Sequence, residues 1–226
     1  MADLPEPRLH ETIPNFHHTA SRFADFEQAV HQNRARRAAA CQADIDFALQ
    51  RQALAPVLID LMKRKEIPER ITHNDSKLNN ILLDETSGEA ICIIDLDTVM
   101  PGSALYDFGD MVRSASCTAA EDESDLSKVQ IDLAMFDALA RGYLSEAAAF
   151  LNKVEIDHLV CSGKLITFEQ GIRFLGDYLN GDTYYKIKYP EHNLVRARNQ
   201  FKLVASIEAH EPEMEEMVRR VSNQSY

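Results

Sequence analysis

The spacing of apolar residues changes period twice along this chain. From Thr19 or Ser21, either of which can cap a helix, Phe23, Phe26 and Val30 fall on one helical face. A second helical pattern covers 36–52, with Cys41, Ile45, Ala48 and Leu49 inward. A third covers 56–65, with Pro56 in its first turn and Val57, Leu58 and Leu61 inward, and Pro68 closes the unit. The period then drops. Residues 80–84 and 90–95 are short, β-branched, apolar runs joined by Glu85-Thr86-Ser87-Gly88, a hairpin signature. A polar stretch follows through the acidic run 121–125, which reads as a solvated loop. Helical spacing returns at Leu133, Phe136, Leu139 and Tyr143, and again over 155–180, where Gly163 and Gly171 interrupt an apolar face that includes Ile156, Ile166 and Leu175. A turn at 181–184 and a loop crowded by Tyr184, Tyr185 and Tyr189 lead to a last helix from His192 or Asn193, with a kink expected at Pro212. Residues 1–15, punctuated by Pro5, Pro7 and Pro14, read as an extended arm. The fold class is α+β, predominantly helical, with a small β-hairpin sheet and no doubly wound pattern.

The hairpin brings chemistry together. It is short enough to fold Asp95 back beside Asn80, fifteen residues earlier. Asn80 and Asp95 can then hold one divalent cation, with Asp75 nearby as a base. Phosphoryl transfer needs such a set: a carboxylate to accept the proton of the substrate hydroxyl, and an amide and a strand-end carboxylate to hold magnesium on the nucleotide phosphates. Asp97 either binds a second ion or caps the turn. Asp107-Phe108-Gly109 spells a metal-binding tripeptide of protein kinases, but it lies thirty-two residues past Asp75 and ends no apolar strand, whereas Asp95 does.

The segments HNDSKLNN, IIDLDTVMPG and LYDFGD resemble the aminoglycoside phosphotransferase and choline kinase superfamily, and within it the N-acetylhexosamine 1-kinases. The resemblance runs from LHETIPNFHHT at 9–19 to HNLVRARNQ at 192–200. It implies a protein-kinase-like C-terminal lobe at 21–226, preceded by a linker arm at 1–20. It also implies ATP and Mg2+ as cofactors and a small-molecule sugar as acceptor. Arg173 and Tyr184 would hold the sugar. His73 and Asp107 would support the catalytic loop, Asp107 from the start of the following helix. His17, His18 and Arg196 are weaker candidates.

Length and charge exclude some partners. The 226 residues carry 24 basic and 36 acidic side chains, net charge -12, which argues against nucleic acid or an anionic membrane. The local cluster Arg34, Arg36 and Arg37 reads as a solvated helix face. Four cysteines, Cys41, Cys92, Cys117 and Cys161, show no metal spacing. Cys92 is expected to be a small apolar residue in a buried strand. A reduced, cytoplasmic protein without a membrane span is expected.

All eight glycines lie at Gly88 or later, and the first lysine is Lys63. A glycine-rich phosphate loop and a strand lysine therefore cannot precede the catalytic loop. The chain reads as a kinase lobe whose N-terminal lobe is absent. On its own it should turn over poorly, by roughly 10²-fold or more. The competing reading is a catalytically inactive kinase-like binding module. A sulfatase is disfavoured, since CTAAE around Cys117 and CSGKL around Cys161 lack the Pro or Ala and Arg its aldehyde nucleophile needs. Apolar groups near the arm and hairpin would make the chain a homo-oligomer, with the arm packing on a neighbouring copy.

Overall fold

The computed structural model describes residues 7–223; residues 1–6, including Pro5 of the expected arm, and 224–226 lie outside the described residues. Eight α-helices are described: α1 (Thr19–Gln32), α2 (Gln42–Leu49), α3 (Val57–Lys63), α4 (Ala104–Ala115), α5 (Leu133–Ala147), α6 (Lys153–Asp157), α7 (Leu159–Asn180) and α8 (His192–Ser222). Four short strands accompany them: β1 (Arg70–Thr72), β2 (Ile81–Leu83), β3 (Ala90–Ile93) and β4 (Met100–Gly102). The chain is thus mostly helical, with very small sheets.

Helix α7 is the axis. It is buried on nearly every side, from Leu159 through Leu179. Two apolar clusters share it. One gathers Phe108, Phe136, Leu144, Leu165 and Ile207 from α4, α5, α7 and α8. The other gathers Phe23, Phe26, Ile45, Phe168 and Phe201 from α1, α2, α7 and α8. Gly163 and Gly171, expected as interruptions, do not break α7. They are points of close approach: a Cβ on Gly163 would press on Val112 of α4, and one on Gly171 on Phe201 of α8. Gly109 faces the Ser162 backbone oxygen for the same reason. Phe108, next to it, is fully buried. Packing of α4 on α7 accounts for Gly109, and packing on Phe136 and Tyr143 of α5 for Phe108.

Several boundaries differ from the sequence pattern. The helix expected over 36–52 divides into 3-10 turns at Ala38–Cys41 and Gln52–Leu54 flanking α2. Helix α1 is capped by the His18 ring, which accepts from the Ser21 N–H at 3.1 Å, rather than by Thr19 or Ser21. The helix ends at Asn33 with φ 40°, so the arginine cluster lies in a loop and not on a helix face. Arg37 turns inward onto Asp182 and the Tyr178 carbonyl. The stretch 155–180 is two helices, α6 with an Asn152–Glu155 capping box and then α7. Helix α8 continues through Pro212.

The single expected hairpin sheet is two sheets. β1 pairs antiparallel with β4, and β2 with β3. The β2–β3 hairpin is exposed, not buried: Ile91 is 65% and Ile93 56% exposed, and Cys92 faces solvent too. A two-stranded ribbon has two faces, and here side chains on both remain open, so apolar composition alone misplaced Cys92. The arm lies on its own lobe. Arg8 pairs with Glu69, Thr12 donates to the Asp97 carbonyl at 2.9 Å, and His17 reaches Glu169. No helix of the described residues is long and apolar enough to cross a membrane.

Candidate active site

β1 delivers the chain into the loop at 73–80. The strand is anchored by Arg70, whose Nε and Nη2 donate to the two oxygens of buried Glu155 at 2.8 and 2.9 Å. The loop then leans on α4. Asp107, in the first turn of that helix, accepts the backbone N–H of His73 at 2.9 Å and of Asn74 at 2.7 Å. Burial holds the Asp107 pKa above its ordinary value, and the two amide donors offset only part of that rise. Ser76 donates its hydroxyl to the Asp107 carbonyl at 2.7 Å.

Asn74 is one residue that sequence reasoning missed. It adopts φ 64°, a left-handed conformation that Asn tolerates better than most side chains. Its buried amide donates to the carbonyls of Thr72, Thr98 and Met100 and accepts from the Thr72 hydroxyl. The loop is thereby tied to the chain leaving the hairpin. A Cβ at Gly102 would collide with Asn74 Oδ1, so the glycine makes room for this knot.

Asp75, Lys77 and Asn80 meet at one carboxylate. Lys77 Nζ lies 2.5 Å from Asp75 Oδ2. Asn80 Nδ2 donates to Asp75 Oδ2 at 3.0 Å and to the Asp75 carbonyl at 2.8 Å. These bonds commit Oδ2 and the Asn80 amide nitrogen to the loop. They leave Asp75 Oδ1 and Asn80 Oδ1 uncommitted to it. Lys77 was not singled out from sequence, although its place two residues after Asp75 is the available signal.

The hairpin returns where its register requires. Ile81 pairs with Ile93, and the Ile94 N–H donates to the Asn80 carbonyl at 2.9 Å. Asp95 is the next residue, held at φ 65°. His73 closes the join: its Nε2 lies 3.0 Å from the Ile94 carbonyl, and its Nδ1 accepts the Asp75 N–H at 3.3 Å. A neutral ring protonated at Nε2 meets both needs. Asp95 has its pKa raised, first by a hydrogen bond with Asp97 and further by the charges of Asp97 and Asp75. Asp95 and Asp97 crowd one another, and the charge of Asp75 adds to it. Among the described residues no group of three His, Cys, Asp or Glu side chains closes on a metal by itself. A cation here would therefore need the Asn80 amide oxygen and outside oxygens, which suits a hard ion that keeps water and phosphate ligands.

A loop at a helix start, a returning hairpin and a carboxylate with an amide neighbour form one connected unit within 70–115. The model of the phosphotransferase enzyme family matches residues 5–144, more than half of the chain. The chain belongs to that family. In this phosphotransferase the match takes in the arm, the loop, the hairpin, α4 and most of α5, and ends before α7 and α8.

A cleft of about 570 Å³ opens beside Asp75 and Lys77. Such a volume fits a small organic ligand. Its far walls come from α7, α8 and the loop between them, and include Arg173, Tyr184, Tyr185 and Arg196. Asp177, near the end of α7, accepts the successive N–H groups of Thr183, Tyr184 and Tyr185 at 2.9, 2.9 and 3.0 Å, which fixes that loop. Tyr185, not singled out from sequence, is tied into this wall: its hydroxyl accepts from Gln170 at 3.1 Å, and the Arg173 and Arg196 guanidiniums lie 5.8 and 5.9 Å from its ring centroid. Tyr184 stacks edge-on against it and is 72% exposed at the rim. Arg173 donates only weakly to Gln170, at 3.3 Å. Of the acidic run 121–125, Glu121 lines this cleft. Glu121 accepts from Arg113 at 2.7 Å, and Asn199 donates to the carbonyls of Ala120 and Glu123.

His17 and His18 do not line this cleft. His18 caps α1, and His17 is buried between α7 and the loop.

Proposed function

We propose that this phosphotransferase moves the γ-phosphoryl group of ATP to a hydroxyl of a small sugar, of the N-acetylhexosamine kind, with Mg2+ on the nucleotide. The observation that carries the reading is the shared carboxylate: Asp75 meets Lys77 and Asn80 at one end of a ligand-sized cleft, and Arg173 and the tyrosine pair stand at the other. Asp75 Oδ1 faces the acceptor as base, with Lys77 neutralising charge beside it. Asn80 Oδ1, Asp95 and Asp97 would hold the metal, which would screen the phosphate charge when bound. Asp107 and His73 keep the loop and the hairpin end in register. Arg173 and Tyr184 offer guanidinium and phenol donors to sugar hydroxyls and an acetamido carbonyl. On this reading residues 21–226 act as the catalytic lobe.

Titration calorimetry with Mg-ATP and with N-acetylglucosamine or N-acetylgalactosamine tests the reading. Both ligands should bind, and Arg173→Ala should weaken the sugar by about tenfold or more, the loss of one or two charge-assisted hydrogen bonds. Nucleotide affinity should stay unchanged in that variant. Sugar affinity indifferent to Arg173 would contradict the acceptor assignment. Nucleotide binding without any acceptor would favour a binding module.

A further inference from the structure

His17 stands on the arm just ahead of α1 and is 8% exposed. Its two ring nitrogens face different elements. Nδ1 lies 2.8 Å from Glu169 Oε1 on α7, and Nε2 lies 2.7 Å from the Asn74 carbonyl oxygen in the catalytic loop. A carbonyl oxygen only accepts, and so does an ionised carboxylate. A neutral imidazole carries one N–H and satisfies one of them; the imidazolium satisfies both. The surroundings agree. Burial is the largest influence on His17 and opposes the charge, yet Glu169, the Asn74 carbonyl and Asp110 outweigh it and raise the pKa. Burial likewise acts to raise Glu169, but His17, Arg173 and the Thr19 hydroxyl, 2.5 Å from Oε2, hold it low. The rings of Phe16 and Tyr106, 4.7 and 5.1 Å from the imidazole centroid, flank it.

We propose that His17 is a positioning residue: its protonated ring spans Glu169 and the Asn74 carbonyl, and so fixes the peptide from which Asp75 projects. The inference rests on Asp75 being the base. The geometry is a two-sided grip. The N–H of Asn74 is held by Asp107 on α4, and its carbonyl by His17 on the arm. The Asn74 carbonyl belongs to the peptide that carries the Asp75 nitrogen. With one side released, that peptide can rotate and swing the carboxylate away from Lys77 and Asn80. The arm thus couples α7 to the catalytic loop without touching substrate.

Amide hydrogen exchange on the full chain tests this without requiring turnover. His17→Ala should speed exchange at residues 75–80 by about tenfold or more, as expected for loss of a charge-assisted hydrogen bond. Amides of α5 should keep their protection, and added imidazole should restore the loop. His17→Ala leaves Glu169 buried without its cation, so a double variant with Glu169→Ala guards against unfolding; it should show the same selective loosening. Loop protection unchanged in the folded variants would overturn the proposal, and so would an even loss across the loop, α5 and α8, which a merely structural role would give. Because exchange is read apart from catalysis, a loosened loop in His17→Ala together with full phosphoryl transfer in Asp75→Asn would strike the base assignment and leave the grip standing.

Discussion

At the residue scale the site depends on a few buried polar groups with two partners each. Asp107 serves two backbone amides, and Asp107→Ala leaves both without an acceptor. Each unsatisfied amide costs about 1–3 kcal/mol, so the variant should lose roughly 2–6 kcal/mol in denaturant titrations, with the slope unchanged. The His17–Glu169 pair predicts a pH window. His17, raised above 6.5, contributes stability fully below that value and loses it as pH rises through its folded pKa. Glu169, held below 4.5, contributes above that value and loses it as pH falls through its lowered pKa. The charges facing this pair are those of Asp107, Asp110 and Arg173. The melting temperature should therefore fall as pH rises above 6.5 through the folded-state pKa of His17, and the double variant His17→Ala/Glu169→Ala should flatten that fall. A wild-type profile already flat there would mean the ring is neutral. Asp75, Asn80 and Asp95 were singled out in sequence for a spacing that would suit phosphoryl transfer, and the structure joins Asp75 to Asn80 and places Asp95 next to the residue that bonds the Asn80 carbonyl. Asn74, Tyr185 and the His17–Glu169 pair were not legible there. The partners of His17 are 57 and 152 residues away, Asn74 bonds chiefly backbone carbonyls, and Tyr185 meets side chains from two helices, none of which leaves a periodic signal.

At the scale of elements, helix spacing located the main helices, and the hairpin turn was visible in Glu85-Thr86-Ser87-Gly88. Glycine was misread. In a lone sequence a glycine that breaks a helix looks the same as one that lets two helices touch, and Gly109, Gly163 and Gly171 are of the second kind. Gly109→Val would drive a side chain into the Ser162 backbone oxygen, which cannot move without shifting α7. The expected cost is about 1–3 kcal/mol, read as a lower melting temperature; an unchanged value would mean α4 and α7 do not pack this closely. The hairpin was misplaced as buried because β-branched content reports strand formation, not what covers the strand.

At the scale of the molecule, the arm is occupied by its own lobe, so association through a swapped arm is not the route this structure favours. The hairpin remains open, with Leu82, Leu83, Ile91 and Ile93 all between 46 and 65% exposed. Apolar surface of this kind recruits partners. Light scattering at micromolar concentration should give a mass above the 25.5 kDa monomer, and Ile91→Lys with Ile93→Lys should restore the monomer. A wild-type monomer would contradict this.

The central claim is that Asp75 is the base of a phosphoryl transfer to a sugar hydroxyl. The direct measurement is transfer of label from γ-labelled ATP to an N-acetylhexosamine by the chain with Mg2+, compared with Asp75→Asn. The account predicts slow transfer in the wild type and a drop of about 10²-fold or more in the variant, the scale of general-base catalysis. Equal transfer in the two proteins, or bound nucleotide with no labelled sugar in either, would contradict it.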